Sequence, residues 1–325
     1  MSGSIRLLAL LLVAVLVSLA MGETLIGLGA LGRGLLFGEG PGALAIRVIR
    51  GPRLATALGA GAALGLSGAV LQTLLRNPLA SPDILGFNAG AGLAVVAAIT
   101  LGWTLPPPLV AALGGIASAL LVAALAHRPG RSDATLVLVL VGLGVGFTLA
   151  ALTNLLSLRL PSTEAAEAQR WVTGSLAARN WGHALQVWLP GLALALLLAL
   201  QVGSLQLLEL GPELARGLGL RVEAARLALV GTAVLLAAAG VAVAGPVAFV
   251  ALMAMPLGRR ITGARGTSGR LLSAAGGGAL VMVLADLAGR VALPGVQLPV
   301  GVTTGALGAP YLLWRLAREM DRGEL

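Results

Sequence analysis

The chain consists of long apolar runs separated by short connections that are polar or rich in glycine and proline. Runs of about 18 or more apolar residues can cross a hydrocarbon core roughly 30 Å thick. The pattern predicts ten helices, of which 88–102 and 247–258 are shorter than a full crossing and must be tilted, buried in protein or broken. The predicted helices are 7–29, 54–75, 88–102, 108–126, 135–158, 184–203, 226–244, 247–258, 271–290 and 301–316.

Composition supports a single transmembrane domain over residues 1–325. Hydrophobic residues make up 58% of the chain and charged residues 11%, with a mean hydropathy of +0.96, whereas soluble domains carry roughly 25% charged residues. The apolar runs are continuous and do not alternate as barrel strands do. We therefore predict an all-α, polytopic bundle of about ten spans. The first run follows Arg6 and is too long for a secretory signal, so we predict a retained first helix.

Several kinds of chemistry are excluded by residues that the chain lacks. It contains no cysteine, and all 22 basic residues are arginine, which excludes a P-loop lysine and a Schiff-base lysine. The two histidines, His127 and His183, are far apart and show no metal-ligand spacing. Aromatic residues are only 3% of the chain and its arginines are scattered, which argues against nucleic acid. We predict no catalytic residue, metal site or cofactor in this chain.

The arginines predict the topology. Threading ten spans from an inside N-terminus places 14 of the 22 arginines on the cytoplasmic side, which satisfies the positive-inside rule and puts both termini in the cytoplasm. We therefore predict a multi-pass protein of the cytoplasmic membrane. Arg47, Arg50 and Arg53 lie on the outer side, against the rule, and require a reason other than topology. Arg128, Arg131 and Arg322 are among the arginines assigned to the cytoplasmic side.

The segment 210–220 lies between two spans on the inferred cytoplasmic side and predicts a short helix. Gly211 suits the N-cap, Pro212 the first helical position and Glu213 the positive end of the helix. Leu214 and Leu218 share one face at i, i+4 spacing. Gly217 and Gly219 end the helix within about two turns. An exposed apolar edge suits docking to a soluble partner, although an ordinary capped connector fits the residues as well.

Two further polar segments carry predictions. The stretch 160–182 predicts a short helix on the outer face, with Ser162 or Thr163 as its N-cap and Glu164 in the first turn. At Asn77-Pro78-Leu79 the proline forces residue 77 out of helical geometry, which exposes a turn at the inner end of a span.

The segment 211–219 also resembles the coupling-helix signature of the FecCD-type permeases of ATP-binding-cassette (ABC) importers, which are similar to BtuC and carry ferric siderophores, haem and cobalamin. The similarity covers nearly the whole chain. It is carried by Arg50-Gly-Pro-Arg53-Leu, by 61–72, by Arg76-Asn-Pro-Leu-Ala-Ser-Pro-Asp-Ile-Leu-Gly86, by Ala285-Asp-Leu-Ala-Gly-Arg290 and by 298–310.

The resemblance implies a type II ABC importer permease and a role for each segment. It implies an extracytoplasmic binding protein that docks on Arg50, Arg53 and Arg290, and a cytoplasmic gate at Asn77 and Leu79. It also implies separate ATPase subunits that bind ATP and Mg, and a second permease copy or close paralogue. The implied ATPase-coupling residues are Gly211, Pro212, Glu213, Leu214, Ala215, Arg216, Gly217, Leu218 and Gly219.

Alternatives remain open at this point. Asp286 and Arg290, four residues apart on one helix, can simply neutralise each other, and the turn at Asn77 can be only a proline-directed turn. A secondary transporter driven by ions needs mid-span acids, for which Asp286 is the one candidate. A ferric siderophore is the first choice of substrate, with haem and cobalamin open. The chain lacks the histidine that the family has after Pro256, which is consistent with a divergent subgroup or one half of a heterodimer.

Overall fold

The computed structural model describes residues 2–22, 24–126, 134–293 and 295–320. Within these ranges the regular elements are helices, and the one bridge is an isolated pair between Leu293 and Val296. The predictions for Arg128, Arg131, Arg322 and His127 lie outside the described residues. The helices are α1 (Ser2–Ala20), α2 (Leu28–Leu36), α3 (Gly40–Leu44), a π-helical segment (Ala45–Ile49), α4 (Arg50–Leu74), a 3₁₀ turn (Pro82–Leu85), α5 (Phe87–Thr100), α6 (Pro107–Ala126), α7 (Ala134–Ser157), α8 (Ser162–Thr173), α9 (Trp181–Glu209), α10 (Pro212–Gly217), α11 (Val222–Ala244), α12 (Val250–Thr262), α13 (Thr267–Val291) and α14 (Val300–Met320).

Each of the ten predicted spans coincides with a helix, namely α1, α4, α5, α6, α7, α9, α11, α12, α13 and α14. Seven helices of the described ranges are long and apolar enough to cross a membrane. The two spans predicted to be short are indeed short, with 14 residues in α5 and 13 in α12. The predicted all-α, membrane-spanning bundle is confirmed.

Two predicted boundaries, the end of the first helix and the N-cap in the outer segment, differ from the structure for local reasons. The first helix ends at Ala20 rather than 29, where the chain becomes polar and glycine-containing, and α2, α3 and the π segment fill the stretch to Arg50. In the outer segment, Pro161 is the N-cap of α8, so the prediction of Ser162 or Thr163 was wrong. The carbonyl of Pro161 already accepts the first helical hydrogen bond from the N–H of Ala165 at 2.8 Å.

The centre of the bundle is α4, which packs against α9, α11, α12 and α13. Glycines on α4 make this packing close. A Cβ at Gly61 would lie 2.4 Å from the carbonyl oxygen of Gly278, and one at Gly65 would lie 2.2 Å from that of Ala274. Small residues one turn apart therefore bring the backbones of α4 and α13 into contact, as expected for such faces in membrane helices.

The bundle has two ends that carry the polar residues. One end holds the start of α4 and the end of α13, and we call it the Asp286 end. The opposite end holds the ends of α4 and α9, the connection between α12 and α13, and the short helix α10, and we call it the α10 end. The candidate residues fall on one end or the other.

Candidate functional site

The local structure predicted for 211–219 is present. Gly211 is the N-cap of α10 with φ at +110°, a conformation that favours glycine, and Pro212 occupies the first turn together with Glu213. The helix ends at Gly217, and Gly219 has φ at +86°, where the chain turns toward α11. Glycine and proline at these positions therefore determine where this helix begins and ends.

The side chains of α10 divide into an inner and an outer set. Ala215 is fully buried, whereas Leu214 and Leu218 are each 62% exposed. Arg216 and Glu223 form an exposed ion pair at 3.5 Å, which connects α10 to the start of α11. The helix thus presents an apolar edge beyond the bundle while its inner face is held in place.

Arg76 forms hydrogen bonds with the residues that precede α10. Its Nη2 donates to the carbonyl of Glu209 at 3.0 Å and to that of Leu208 at 3.4 Å. These carbonyls belong to the end of α9, where helical C=O groups have no partner within the helix. Arg76 therefore links the end of α4 to the residues that lead into α10.

At the Asp286 end, one buried carboxylate joins two helices. Asp286 is 2% exposed; its Oδ1 lies 2.9 Å from Nε and 2.8 Å from Nη2 of Arg53, and its Oδ2 lies 3.1 Å from Nε of Arg290. Arg53 also donates to the side-chain oxygen of Gln297 at 3.1 Å. The predicted neutralisation of Arg290 by Asp286 is present, and Arg53 is a second partner.

Arg290 and a third arginine, Arg50, bond to the end of α1. Arg290 donates from Nη1 to the carbonyls of Ser18 and Met21 at 3.2 and 3.1 Å. Arg50 donates from Nη1 to the carbonyls of Leu19 and Ala20 at 2.7 and 2.9 Å. Cations near a helix C-terminus satisfy its free carbonyls and interact favourably with its dipole.

A fourth arginine borders this cluster. Arg179, in the connection before α9, donates to the carbonyl of Ser175 at 3.1 Å. Burial lowers the pKa of Arg179, and the positive charge of Arg53 lowers it further. Asp286 pairs with Arg53 and Arg290, whereas Arg50 and Arg179 bond to backbone carbonyls. Four arginines around one carboxylate give this cluster a net positive charge.

The turn predicted at Asn77 is a compact one. The side-chain oxygen of Asn77 accepts a hydrogen bond from the N–H of Leu79 at 2.8 Å, and Arg76 before it has φ at +49°. Asn77 and Leu79 are both half-buried. The proline-directed turn is therefore present, and it lies at the α10 end of the bundle.

Sequence reasoning missed Asp83. This half-buried carboxylate follows the turn, receives a hydrogen bond from the side-chain amide of Asn88, and accepts another from the backbone N–H of Phe249. Phe249 is the N-cap of α12 and has φ at +68°. Asp83 thus connects the start of α5 with the break between α11 and α12. Asp83 could have been singled out from the sequence, because it is the only charged residue between Arg76 and Arg128.

Within the described ranges, no group of three or more acidic or histidine side chains lies close enough to hold a metal ion. The arrangement is one of an exposed apolar edge, arginine clusters, tight turns and packed helices.

Comparison with known families and proteins gives a consistent result. The model of the FecCD transport family matches residues 10–318. The ferric enterobactin transport system permease protein FepG of Escherichia coli (strain K12) is 41% identical over 87% of this chain and 86% of its own length. The vitamin B12 import system permease protein BtuC of Klebsiella pneumoniae is 36% identical over 97% of this chain and 93% of its own length.

A solved structure gives the same picture at the level of the fold. A chain of a metal-chelate type ABC transporter in an inward-facing conformation superposes with a TM-score of 0.80 and 28% identity, covering 96% of this chain and 97% of that one.

Proposed function

Because the chain belongs to the FecCD transport family, whose members are non-catalytic permease subunits of ABC importers, we propose that it moves a ferric siderophore into the cytoplasm by alternating access. The observation that carries the proposal is α10, a short helix with an exposed apolar edge next to an end of the bundle rich in arginine. Hydrolysis of ATP by a separate subunit would change the relative stability of inward-open and outward-open states.

In this proposal, Gly211 to Gly219 dock into the ATPase subunit. Leu214 and Leu218 enter its groove, while buried Ala215 and the Arg76 contacts keep α10 from moving independently of the bundle. Such a rigid connection is what lets a change in the ATPase reach the spanning helices.

The test is the double substitution Leu214→Asp with Leu218→Asp. We expect it to abolish copurification of the ATPase, because two charges would replace the apolar edge. Leu105→Asp, at an exposed leucine in the connection between α5 and α6, is the matched control and should retain the ATPase. Normal copurification of the ATPase with the double variant would contradict the proposal.

We further propose that an extracytoplasmic binding protein docks at the Asp286 end, over Arg50, Arg53 and Arg290. Most of their N–H groups already bond within the chain, so the net positive charge of the cluster, rather than bidentate pairing by each arginine, would attract acidic residues on the partner. Both termini would then face the cytoplasm.

Reversing the charge at Arg53 and Arg290 together, by substitution with Glu, is expected to weaken binding of that protein while ATPase copurification persists. Arg33→Glu, at an exposed arginine of α2, controls for the general loss of charge. Unchanged affinity of the binding protein for the double variant would refute this docking site.

For the substrate, two relatives with 41% identity are permeases for ferric enterobactin and Fe(3+) dicitrate, which favours a ferric chelate over cobalamin. We propose that Asn77 and Leu79 form the cytoplasmic gate, in a pathway enclosed with a second copy or a close paralogue. Reconstitution with the ATPase and the binding protein should show hydrolysis stimulated by a ferric siderophore. Stimulation only by haem or cobalamin would exclude the siderophore.

A further inference from the structure

The α10 end holds a cavity of about 1020 Å³ whose lining is strongly basic. The arginines come from the connection after α4, from the last turns of α12 and the loop after it, from the first turn of α13, and from α14. Among the described residues that line it, Glu209 is the one acid. We call the six arginines the arginine basin: Arg76, Arg259, Arg260, Arg265, Arg270 and Arg315.

The charges of the basin are only partly compensated inside the chain. Arg270 forms an ion pair with Glu209, and Arg76 donates to backbone carbonyls. The side chains of Arg259 and Arg265 are exposed and form no hydrogen bond or ion pair with the described residues. Guanidinium groups present a planar fork of donors that matches phosphate and carboxylate oxygens. The basin therefore has the chemistry of an anion site.

The position of the basin relative to the membrane surface is indicated by Trp314 on α14. The guanidinium of Arg260 lies 4.5 Å from the centre of its ring, and that of Arg318 lies 5.4 Å away. Tryptophan is enriched at the level of lipid headgroups, where one side of the ring meets apolar chains and the other meets water. Trp314 therefore favours a position of the basin at headgroup level.

An apolar groove of about 700 Å³ leads away from the basin between α1, α4, α9 and α13. Leu66 and Val202 line the groove, and Thr73 and Glu209, each seven residues later on the same helix, line the basin. Seven residues of α-helix return to nearly the same face about 10 Å further along. Groove and basin are therefore consecutive sections along two helices.

We propose that the groove and the arginine basin together bind one anionic phospholipid, with its phosphate in the basin and an acyl chain in the groove. The inference rests on the orientation proposed above, in which the α10 end faces the cytoplasmic leaflet. Basic pockets between membrane helices on that side recognise anionic headgroups. A free phosphate compound would use the basin alone, and the groove is what favours the lipid.

The test is native mass spectrometry of the permease–ATPase complex, titrated with phosphatidylglycerol or with phosphatidylcholine. We expect selective retention of phosphatidylglycerol. Arg259→Gln with Arg265→Gln should weaken that retention roughly thirtyfold, at about fivefold per arginine. Arg221→Gln with Arg226→Gln removes the same charge from exposed arginines at the same end but outside the basin, and should retain the lipid as the unchanged protein does.

A substitution in the groove distinguishes a phospholipid from a free phosphate compound as the ligand. Ala195 on α9 lines the groove, so Ala195→Trp should fill it and reduce retention of phosphatidylglycerol. Inorganic phosphate at millimolar concentration should not displace the lipid from the unchanged complex. Displacement by inorganic phosphate, with Ala195→Trp retaining the lipid normally, would mean that a free phosphate compound is the ligand and would overturn the proposal. Equal retention of the two lipids would overturn it as well.

Failure of this inference is distinguishable from failure of the proposed function. The chain has no cysteine, so Arg265→Cys provides a single thiol for a membrane-impermeant maleimide in vesicles of known orientation. Labelling from the cytoplasmic side with normal ATPase copurification, but without selective lipid retention, would refute the lipid site alone. Labelling from the outside would refute the orientation and the proposed function with it.

Discussion

The two ends of the bundle both carry arginines but use them differently. At the Asp286 end, the side chains of Arg53 and Arg290 are 12% and 7% exposed and are bonded to Asp286, Gln297 and the last carbonyls of α1. At the α10 end, Arg259 and Arg265 are exposed and without a described partner. The first set holds helices together, and the second remains available to a ligand.

The difference follows from the cost of removing charge from water. A buried guanidinium without a partner is strongly destabilising, so burial at the Asp286 end requires the carboxylate and the carbonyls that are found there. An exposed guanidinium keeps its hydration, and its pairing with another group contributes little to stability. We therefore expect matched substitutions at the two ends to lower the free energy of unfolding by different amounts.

The largest effect is expected for Asp286→Asn, which leaves two buried arginines without their shared negative charge. We expect a loss of about 3–5 kcal/mol in the free energy of unfolding. Unfolding in mixed detergent micelles, followed by circular dichroism, measures it. A loss below about 1 kcal/mol would show that the pairing is not what stabilises the Asp286 end.

A smaller loss is expected for Arg53→Gln, because Arg290 still neutralises Asp286. Removing hydrogen bonds to a charged group should cost about 1.5–3 kcal/mol. The matched substitution Arg259→Gln at the α10 end should change stability by less than about 0.5 kcal/mol. Equal losses in the two variants, measured in the same micelles, would remove the distinction between the ends.

Among the substitutions that break an ion pair, Glu209→Gln is expected to have the smallest effect. The side chains of Glu209 and Arg270 are 30% and 18% exposed, and pairs with access to water contribute about 0–1 kcal/mol. The variant should at the same time bind phosphatidylglycerol at least as tightly, since it removes the acid of the arginine basin. A loss of stability as large as that of Asp286→Asn would be inconsistent with a solvated basin.

Patterns that are local in sequence were predictable. The ten helices were predicted from continuous apolar runs, and both ends of α10 from the glycines and proline around Glu213. The i, i+4 spacing gave the proximity of Asp286 and Arg290. These features depend on the backbone and on neighbouring residues, which a single sequence contains.

Contacts between distant parts of the chain were not predictable. Arg53 and Asp286 are 233 residues apart, and nothing in either segment indicates the other. The helices between Leu28 and Ile49 contain only five to nine residues each, so a search for apolar runs of about 18 residues could not find them. Asp83 was visible as an isolated charge, but its link to Phe249 depends on how two breaks in helices meet.

The docking of α10 on a separate ATPase is tested most directly by a cross-link from one position. Because the chain lacks cysteine, Leu214→Cys introduces a single thiol on the exposed edge of α10, and a short bifunctional reagent can join it to the ATPase in the assembled complex. We expect a cross-linked permease–ATPase species from Leu214→Cys and none from Leu105→Cys. An assembled complex that gives no cross-link from residue 214, or labelling of that thiol from outside the cell, would contradict it.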